Sequence, residues 1–436
     1  MNRQRIGRLD KPADYHRQLL HAMRKFLPTR GLPLQSEDQR VRWTPRLLAM
    51  TAVLMTWQPA CALQDAFAAA REVVVSMYRS RRRPGESFGG FWSALRESSG
   101  EILATVVAAL RTSTQAVAGP TWRMGRWAVM AVDGSRVDCP RTAANEAAFG
   151  CAGRAKAGPQ QYLTTLFHLA TGLIWGWRRG PGTAAERDHL REMIAELPEK
   201  TLLLADAGFV GYDLMASLIR AGHDFVIRAG ANVRLLRKLG FHTRERDGLV
   251  YLWPQAYRTQ SPLTLRCLKV VDGRKAMCLL TSVLSASELT DRQMIGLYRR
   301  RWVVEVAFRS LKQTMARRKM LSQTPAQARV ELDWAVVGLW MLGLLSAQAG
   351  SARQRGRCSV ARTLRAVREA MRRNAWRPRA GGLNRQLREA VMDTYTRRGP
   401  KRARDWPHKK KQKSPGLPKI RIATRSEVQM ARKLIG

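Results

Sequence analysis

The chain has 436 residues, enough for two or three domains and a substantial core. Its 77 lysines and arginines outnumber its 33 aspartates and glutamates, which gives a formal net charge of +44 at pH 7. Such a charge opposes compaction unless a polyanion neutralises it, so we expect nucleic acid as the partner, with a membrane surface the weaker candidate. A genome rich in G and C could account for arginine in place of lysine, but not for the shortage of acids.

The first 120 residues are predicted to form a helical N-terminal domain that binds DNA. Their apolar periodicity and their content of Ala, Leu and Met indicate helices over 46–57, 63–78 and 91–117. Between the last two lies the basic loop 79–85, Arg-Ser-Arg-Arg-Arg-Pro-Gly. Its arginines could track phosphates, and a solvated linker is an equally favoured interpretation.

From residue 127 the pattern changes to short, β-prone apolar runs. The predicted elements are strands over 127–137, 161–170 and 173–178, a helix over 183–197, a strand over 201–205, a helix over 212–221 and a strand over 224–228. The second and third strands form a predicted hairpin at Thr171-Gly172. Strands that alternate with helices predict an α/β sheet with helices on its faces.

The rest of the chain is predicted to be β-rich, then helical, then irregular. Strands are predicted over 249–253, 263–271 and 275–283, and helices over 287–320 and 334–347. Beyond residue 351 the chain is helical in pattern but very basic. From about residue 397 it is rich in Lys, Arg and Pro, which predicts a tail that is disordered without a partner.

Several features predict a cytoplasmic protein without a membrane partner. None of the six cysteines forms a CxxC pair, so neither a zinc ribbon nor a disulfide framework is expected. The first residues lack the apolar run of a signal peptide. The apolar run 334–347 is shorter than a bilayer span, so we expect it to be a buried helix.

One segment of the predicted helix 287–320 carries polar groups at a regular spacing: Tyr298, Arg301, Glu305 and Lys312. Successive members are three, four and seven residues apart, steps that return to one side of a continuous helix. A lone carboxylate among cations suggests a place where metal and phosphate meet. The alternative is a solvated helix with an Arg301–Glu305 ion pair worth only a few tenths of a kcal/mol.

Two aspartates stand where apolar strands are predicted to end in turns. Asp133 begins Asp-Gly-Ser, and Asp206 begins Asp-Ala-Gly-Phe. In an open α/β sheet such positions border a crevice, where Glu305 could join them. Three converging carboxylates would raise one another's pKa values, and oxygen-binding cations such as Mg²⁺ or Mn²⁺ would relieve the repulsion. Asp138 or Asp213 could be the functional acid instead.

The segment from Tyr298 to Lys312 resembles the Y-x2-R-x3-E-x6-K signature of the group-four insertion-sequence DDE transposases, which include hairpin-forming enzymes. Asp206-Ala-Gly-Phe resembles their second-aspartate motif, and Asp133-Gly-Ser resembles their first. The resemblance covers roughly residues 127–319. It implies an RNase H-like catalytic domain over 121–350, with a β-rich insertion at about 230–286. The basic C-terminal region is then 351–436.

The resemblance also implies a role for each site residue. Two Mg²⁺ or Mn²⁺ ions would be held by Asp133, Asp206 and Glu305. Arg301 and Lys312 would grip phosphates that flank the scissile bond, and Tyr298 would hydrogen-bond one of them. An aromatic residue of the insertion can stabilise a flipped base in this family. Trp253 is the candidate by position, although a core tryptophan is the favoured alternative.

The activity that the resemblance implies is cut-and-paste transposition. The protein would bind the terminal inverted repeats of its element, cleave there and join the 3′ hydroxyls to target DNA. Two ends must meet, so a dimer on DNA is expected, associated with a bacterial nucleoid. The alternatives are an RNase H-fold nuclease that only hydrolyses, and a non-enzymatic DNA-binding protein derived from a transposase. The presence of all three acids and all four signature residues disfavours the second alternative.

Overall fold

A computed structural model describes residues 15–28, 32, 42–59, 61–77, 84–150, 158–241, 248–272, 275–350, 359–372, 382–392 and 415–435. The chain divides into two compact units, each assembled from three segments. The helical unit takes in Met1–Gly119, Arg136–Gln161 and Ala307–Met392. The sheet unit takes in Pro120–Ser135, Tyr162–Val306 and Asp393–Gly436.

The described residues form helices and strands with the following bounds, in chain order. The helices are α1 (Tyr15–Arg24), α2 (Pro45–Trp57), α3 (Leu63–Met77), α4 (Phe88–Ala118), α5 (Ala143–Phe149), α6 (Glu186–Met193), α7 (Tyr212–Arg220), α8 (Asp291–Arg300), α9 (Val303–Arg309), α10 (Pro325–Ala349), α11 (Val360–Met371), α12 (Gly382–Glu389) and α13 (Arg425–Ile435). The strands are β1 (Ala128–Asp138), β2 (Gln160–His168), β3 (Leu173–Pro181), β4 (Thr201–Ala205), β5 (Asp224–Ala229), β6 (Arg234–Arg237), β7 (Leu249–Leu252), β8 (Leu263–Asp272), β9 (Lys275–Thr281) and β10 (Lys419–Ile422).

Helix α10 forms the centre of the helical unit, where it packs against α2, α4, α11 and α12. It is apolar on nearly every side, which is typical of a helix buried all round. Its tryptophans still satisfy their indole N–H groups. Trp334 donates to Ser99 Oγ at 3.0 Å, and Trp340 donates to Thr114 Oγ1 at 2.9 Å.

Two helical stretches, Phe88–Trp122 and α10, are long and apolar enough to cross a bilayer by length and composition alone. The apolar window of α10 is 94% buried inside the protein, and that of Phe88–Trp122 is 33% buried. The predicted buried helix 334–347 is therefore confirmed, within a helix that begins earlier, at Pro325.

The sheet unit is organised around a ten-stranded sheet with the order β10-β6-β7-β8-β9-β5-β4-β1-β2-β3. Strands β1, β4 and β5 pair in parallel, and β5 to β9, β9 to β8, β8 to β7 and β7 to β6 pair antiparallel. Parallel strands buried on both faces need continuous apolar runs, and β4 is such a run, Thr-Leu-Leu-Leu-Ala, buried throughout. The predicted mixed α/β architecture is thus confirmed.

The chain divides differently from the three predicted regions. Residues 307–349 were assigned with the sheet, but they belong to the helical unit with the N-terminal helices. The reason is the all-round apolar surface of α10, which can be buried only among other helices. Residues 79–83 of the predicted basic loop 79–85 lie outside the described residues.

The C-terminal tail is partly ordered, in contrast to the prediction of disorder from about residue 397. Strand β10, Lys-Ile-Arg-Ile, pairs in parallel with β6, and α13 follows it. The overall composition of the tail hid the alternation of apolar and basic residues in β10, which is a strand pattern. The predicted disorder over 397–414 falls outside the described residues.

The predicted helix over 287–320 is interrupted. It consists of α8, a break at Arg301-Trp302, α9 and a π-helical segment, Ser310–Thr314. The prediction that four signature side chains share one side of a continuous helix is therefore wrong. No proline or glycine causes the break. It coincides with a tertiary contact of Arg301, described below, which sequence periodicity does not reveal.

Candidate active site

The two motif aspartates occupy matching positions on neighbouring parallel strands. The β1–β4 ladder runs from Ala128 opposite Thr201 to Ala131 opposite Leu204, each partner lying 73 positions later in the chain. Asp133 and Asp206 have the same separation, just beyond the last of these pairs. Neighbouring strands lie about 4.8 Å apart, so this register brings the two carboxyl groups to one place. The charge of Asp206 accordingly helps to raise the pKa of Asp133.

The sequence placed Asp133 at the end of an apolar strand, but β1 continues beyond it to Asp138. The Oδ1 atom of Asp133 accepts the backbone N–H of Gly134 at 2.9 Å, and its Oδ2 forms an ion pair with Arg301 Nη1 at 3.2 Å. Burial is the main cause of its raised pKa, and it outweighs the opposing effect of Arg301. The side chain is only 18% exposed. One guanidinium therefore does not fully offset the cost of a buried charge there.

Gly134 lets the strand lie close to its neighbour β2. A Cβ at this position would overlap the phenol ring of Tyr162. The small residue after Asp133 is thus required by packing as well as by the motif.

Asp206 stands at the carboxyl end of β4, as predicted. It caps the short 3-10 turn Ala207–Phe209, and its Oδ1 accepts the N–H of Gly208 at 2.8 Å. Phe209 is fully buried and fixes the turn against the core. The Asp-Ala-Gly-Phe motif therefore combines a carboxylate, a tight turn and an apolar anchor.

Tyr298 and Arg301 meet at the end of α8. The guanidinium of Arg301 lies 5.6 Å from the centre of the Tyr298 ring. Burial raises the pKa of Tyr298, and the positive charge of Arg301 opposes this. Burial also disfavours the charge of Arg301, but Tyr298, Asp133 and Asp206 together raise its pKa. Arg301 is thus the common cation of this cluster, which we call the Asp–Arg cluster: Asp133, Asp206, Tyr298 and Arg301.

Glu305 and Lys312 lie further along the interrupted helix. Glu305 is half-buried in the first turn of α9. Lys312 belongs to the π-helical segment in the helical unit, where burial lowers its pKa and Asp138 opposes that effect. In the part of the chain that the structure describes, no three His, Cys, Asp or Glu side chains are grouped so that they could hold a metal ion. The convergence of Glu305 on the two aspartates therefore stays a prediction.

Trp253 is a core residue, so the structure does not support it as a DNA contact. It is 2% exposed, and its indole N–H donates to the carbonyls of Tyr257 and Gln260 at 2.9 and 2.7 Å. Arg258 covers the ring, with its guanidinium carbon 4.2 Å from the ring centre. This burial agrees with the packed tryptophan that the sequence favoured.

The two alternative acids have other partners. Asp138 accepts a hydrogen bond from the side chain of Gln160 at 2.7 Å. Asp213 accepts one from the hydroxyl of Tyr257. Both carboxylates are therefore engaged outside the Asp–Arg cluster.

Two residues near the signature were not identified from the sequence. Trp302, at the break after Arg301, is 57% exposed. Arg266 of β8 is buried, and one of its amino groups donates to the carbonyl of Leu289, just before α8. A lone arginine within the apolar run of β8 was the available signal for Arg266. A tryptophan within an apolar helical pattern is usually buried, so nothing in the sequence indicated that Trp302 is exposed.

Two of the predicted metal ligands carry the type of donor that a divalent cation prefers. Asp133 and Asp206 offer carboxylate oxygens, which Mg²⁺ and Mn²⁺ prefer. Burial is the main cause of the raised pKa of Asp133, and the neighbouring charge of Asp206 adds to it. Arg301 supplies positive charge beside Asp133 in this structure.

Comparison with known proteins finds similarity to transposases. Residues 128–341 match the family described as "Transposase DDE domain". The chain is 30% identical over 223 residues to the transposase InsG for insertion sequence element IS4 of Escherichia coli (strain K12). That match covers 48% of this chain and 50% of InsG, so the chain spans about half the length of this relative.

Similarity to solved structures is weaker. A piggyBac transposase synaptic complex with hairpin DNA is 12% identical, with a TM-score of 0.46, over 88% of this chain and 87% of that one. A pre-cleavage Mos1 transpososome is 10% identical, with a TM-score of 0.17, over 44% of this chain and 61% of that one. TM-scores of this size do not establish a shared fold. The sequence matches carry the comparison: residues 128–341 are similar to the transposase DDE domain family, in agreement with the resemblance to insertion-sequence transposases.

Proposed function

We propose that this protein is a DNA transposase that cleaves the ends of its own element and joins them to target DNA. The observation that carries the proposal is the placement of Asp133 and Asp206 just beyond the paired ends of adjacent strands, with Arg301 in an ion pair with Asp133, inside the region that matches the DDE domain family. An RNase H-like core, with β6 to β9 as its insertion, is the fold that we propose for this region.

The three acids would hold the metal in this proposal: Asp133, Asp206 and Glu305. When bound, two divalent ions would activate an attacking oxygen and stabilise the leaving oxygen of a phosphodiester. The chain itself would supply the orientation. The hydrogen bonds from Gly134 and Gly208 fix one oxygen of each aspartate, which leaves the second oxygen directed elsewhere.

Arg301 would act on DNA as well as on Asp133. A guanidinium presents five N–H donors, so one ion pair with Asp133 leaves others for a phosphate. Tyr298 lies against it, where its hydroxyl would donate to a neighbouring phosphate oxygen. Lys312, the fourth signature residue, would contact the phosphate on the other side of the scissile bond. These groups would position the strand before cleavage.

The partner that we propose is double-stranded DNA, as terminal inverted repeats and as target. The net charge of +44 supports it, because neutralising phosphates releases counterions and supplies most non-specific affinity. Two ends must be processed together, so we propose a dimer on DNA. The place of action would be the bacterial nucleoid.

The test compares end binding with cleavage in matched variants. Asp133→Asn, Asp206→Asn and Glu305→Gln keep side-chain size and remove charge, so each should abolish Mg²⁺-dependent cleavage while the protein still binds element ends. Asp213→Asn is the matched control and should cleave like the parent. Full cleavage by Asp133→Asn would refute the assignment.

A strand-joining assay on the parent then separates transposition from hydrolysis. Products in which an element 3′ hydroxyl is joined to target DNA support a transposase. Cleavage without joining would identify a nuclease that only hydrolyses, and binding without either would identify a non-enzymatic derivative.

A further inference from the structure

Two free cysteines lie in direct contact in the sheet unit. The sulfur atoms of Cys267 in β8 and Cys278 in β9 are 2.6 Å apart. A disulfide bond is about 2.05 Å long, so bond formation requires the two atoms to approach by only about 0.6 Å. This proximity makes the pair a candidate for reversible oxidation.

The strand register fixes this contact. In the β8–β9 ladder, Cys267 faces Leu280 and Cys278 faces Lys269, so the two cysteines are diagonal neighbours. Directly opposed residues point to the same side of a sheet, and residues two apart on one strand do so too. Both thiols therefore project from one face. The backbone around them is held by the pairing of β8 with β7 and β9.

The two thiols differ in exposure and acidity. Cys267 is half-buried, whereas Cys278 is 2% exposed. A hydrogen bond with Cys278 lowers the pKa of Cys267, and the charge of Arg237 assists. The same hydrogen bond and burial raise the pKa of Cys278. Because Cys267 is the more exposed of the two thiols, it is the one that an external disulfide can reach first.

We propose that Cys267 and Cys278 form a reversible disulfide, which makes the β8–β9 hairpin a redox-sensitive modification site. The oxidant is a small-molecule disulfide such as oxidised glutathione. The Cys267 thiolate attacks one sulfur of that disulfide and expels a thiolate, which leaves a mixed disulfide on Cys267. Cys278 then loses its proton to solvent, attacks Cys267 sulfur and expels the second thiolate. Two protein thiols are oxidised, and one small disulfide is reduced to two thiols.

The bond would join two strands of the proposed insertion, next to a residue that contacts the segment before α8. Arg266, the residue before Cys267, donates to the carbonyl of Leu289 just ahead of α8. Fixing β8 to β9 therefore restrains the strand that holds α8 in place. This consequence is separate from the proposed transposition chemistry, and its test needs no DNA.

The experiment uses the full-length protein, reduced and then incubated with oxidised glutathione. Remaining thiols are alkylated, and the protein is digested without reductant for mass spectrometry. We expect a peptide pair joined through Cys267 and Cys278, lower in mass by two hydrogen atoms and restored by dithiothreitol. Recovery of both thiols alkylated, as in the unoxidised sample, would overturn the proposal.

Variants test the order of the two steps. Cys278→Ser should stop at the mixed disulfide, so glutathione should accumulate on Cys267. Cys61→Ser is the control and should leave the Cys267–Cys278 link unchanged. The measurement on the parent does not depend on the folding of any variant. Glutathione that stays on Cys267 of the parent, with Cys278 still free, would show that the second thiol does not resolve the first.

Discussion

Arg301 Nη1 and Asp133 Oδ2 lie 3.2 Å apart, although 168 positions separate the residues in the chain. Both side chains are largely buried, at 14% and 18% exposure. The contact joins the first motif of the candidate site to the signature segment. The contact also lies where α8 ends, so the ion pair of Arg301 and the break in the helix occur at the same residue.

Replacing Arg301 should affect stability and DNA placement together. Arg301→Ala leaves the Asp133 carboxyl buried without its cation, which should lower the free energy of unfolding by about 1–3 kcal/mol. It also removes a phosphate donor, so cleavage should fall by about 10²–10³-fold. Arg301→Lys keeps a charge but not the planar fork, and should recover stability better than cleavage.

Urea unfolding and Mg²⁺-dependent cleavage measure the two effects of replacing Arg301. An Arg301→Ala protein that cleaves like the parent would remove Arg301 from the site.

Substitution of Trp302 should affect DNA binding, whereas substitution of Trp253 should affect stability. Trp302→Ala alters an exposed side chain and should change stability by less than about 0.5 kcal/mol. It should weaken binding to element ends, because an exposed aromatic ring beside Arg301 can pack on a sugar or a base. Trp253→Ala empties a core position and should destabilise the fold by about 3–5 kcal/mol. Thermal unfolding and end binding on both variants provide the comparison. Unaltered binding by Trp302→Ala would place that ring away from DNA.

The basic tail should contribute to DNA affinity through its charge. Deletion of residues 397–436 would also remove β10 from the sheet, so charge replacement is the cleaner test. Lys409, Lys410 and Lys411 changed together to Gln should weaken binding. The slope of log K against log salt should become shallower by about 0.9 for each phosphate that the variant no longer neutralises. An unchanged slope would mean that these lysines do not neutralise phosphates.

Glu427 should make the attachment of the C-terminal segment sensitive to acid. Arg421 is the main cause of the lowered pKa of Glu427, about 2 against an ordinary value of 4.5. Its carboxylate also accepts from Arg258 at 2.8 Å and from the Thr424 N–H at 2.9 Å. A lowered folded pKa means that the stabilisation is complete above pH 4.5 and is lost as the pH falls towards 2.

Comparison with Glu427→Gln isolates this contribution. At pH 7 the parent should be more stable by about 1–3 kcal/mol, as expected for hydrogen bonds to a charged group. The difference should shrink between pH 4.5 and pH 2 as Glu427 takes up a proton. Urea unfolding of both proteins at several pH values measures it. A difference that stays constant with pH would exclude Glu427 as the titrating group.

Features that depend on neighbours along the chain could be predicted from the amino-acid sequence. The strand–helix alternation predicted an α/β sheet, in which the structure pairs β1, β4 and β5 in parallel. The Asp206 motif was located at the end of a strand because a polar turn follows an apolar run. The spacing from Tyr298 to Lys312 was sufficient to recognise the family, since it depends on residue type and not on conformation.

Which of these residues meet depends on contacts between distant segments of the chain. The register of β1 on β4 brings Asp133 beside Asp206, and an ion pair then draws in Arg301 where the helix breaks. The contact between Cys267 and Cys278, the buried Trp253 and the exposed Trp302 likewise depend on the arrangement of strands and helices. Periodicity indicates whether a residue lies on the apolar or the polar side of its helix or strand. Contacts between distant segments are set by packing, which no single stretch of sequence encodes.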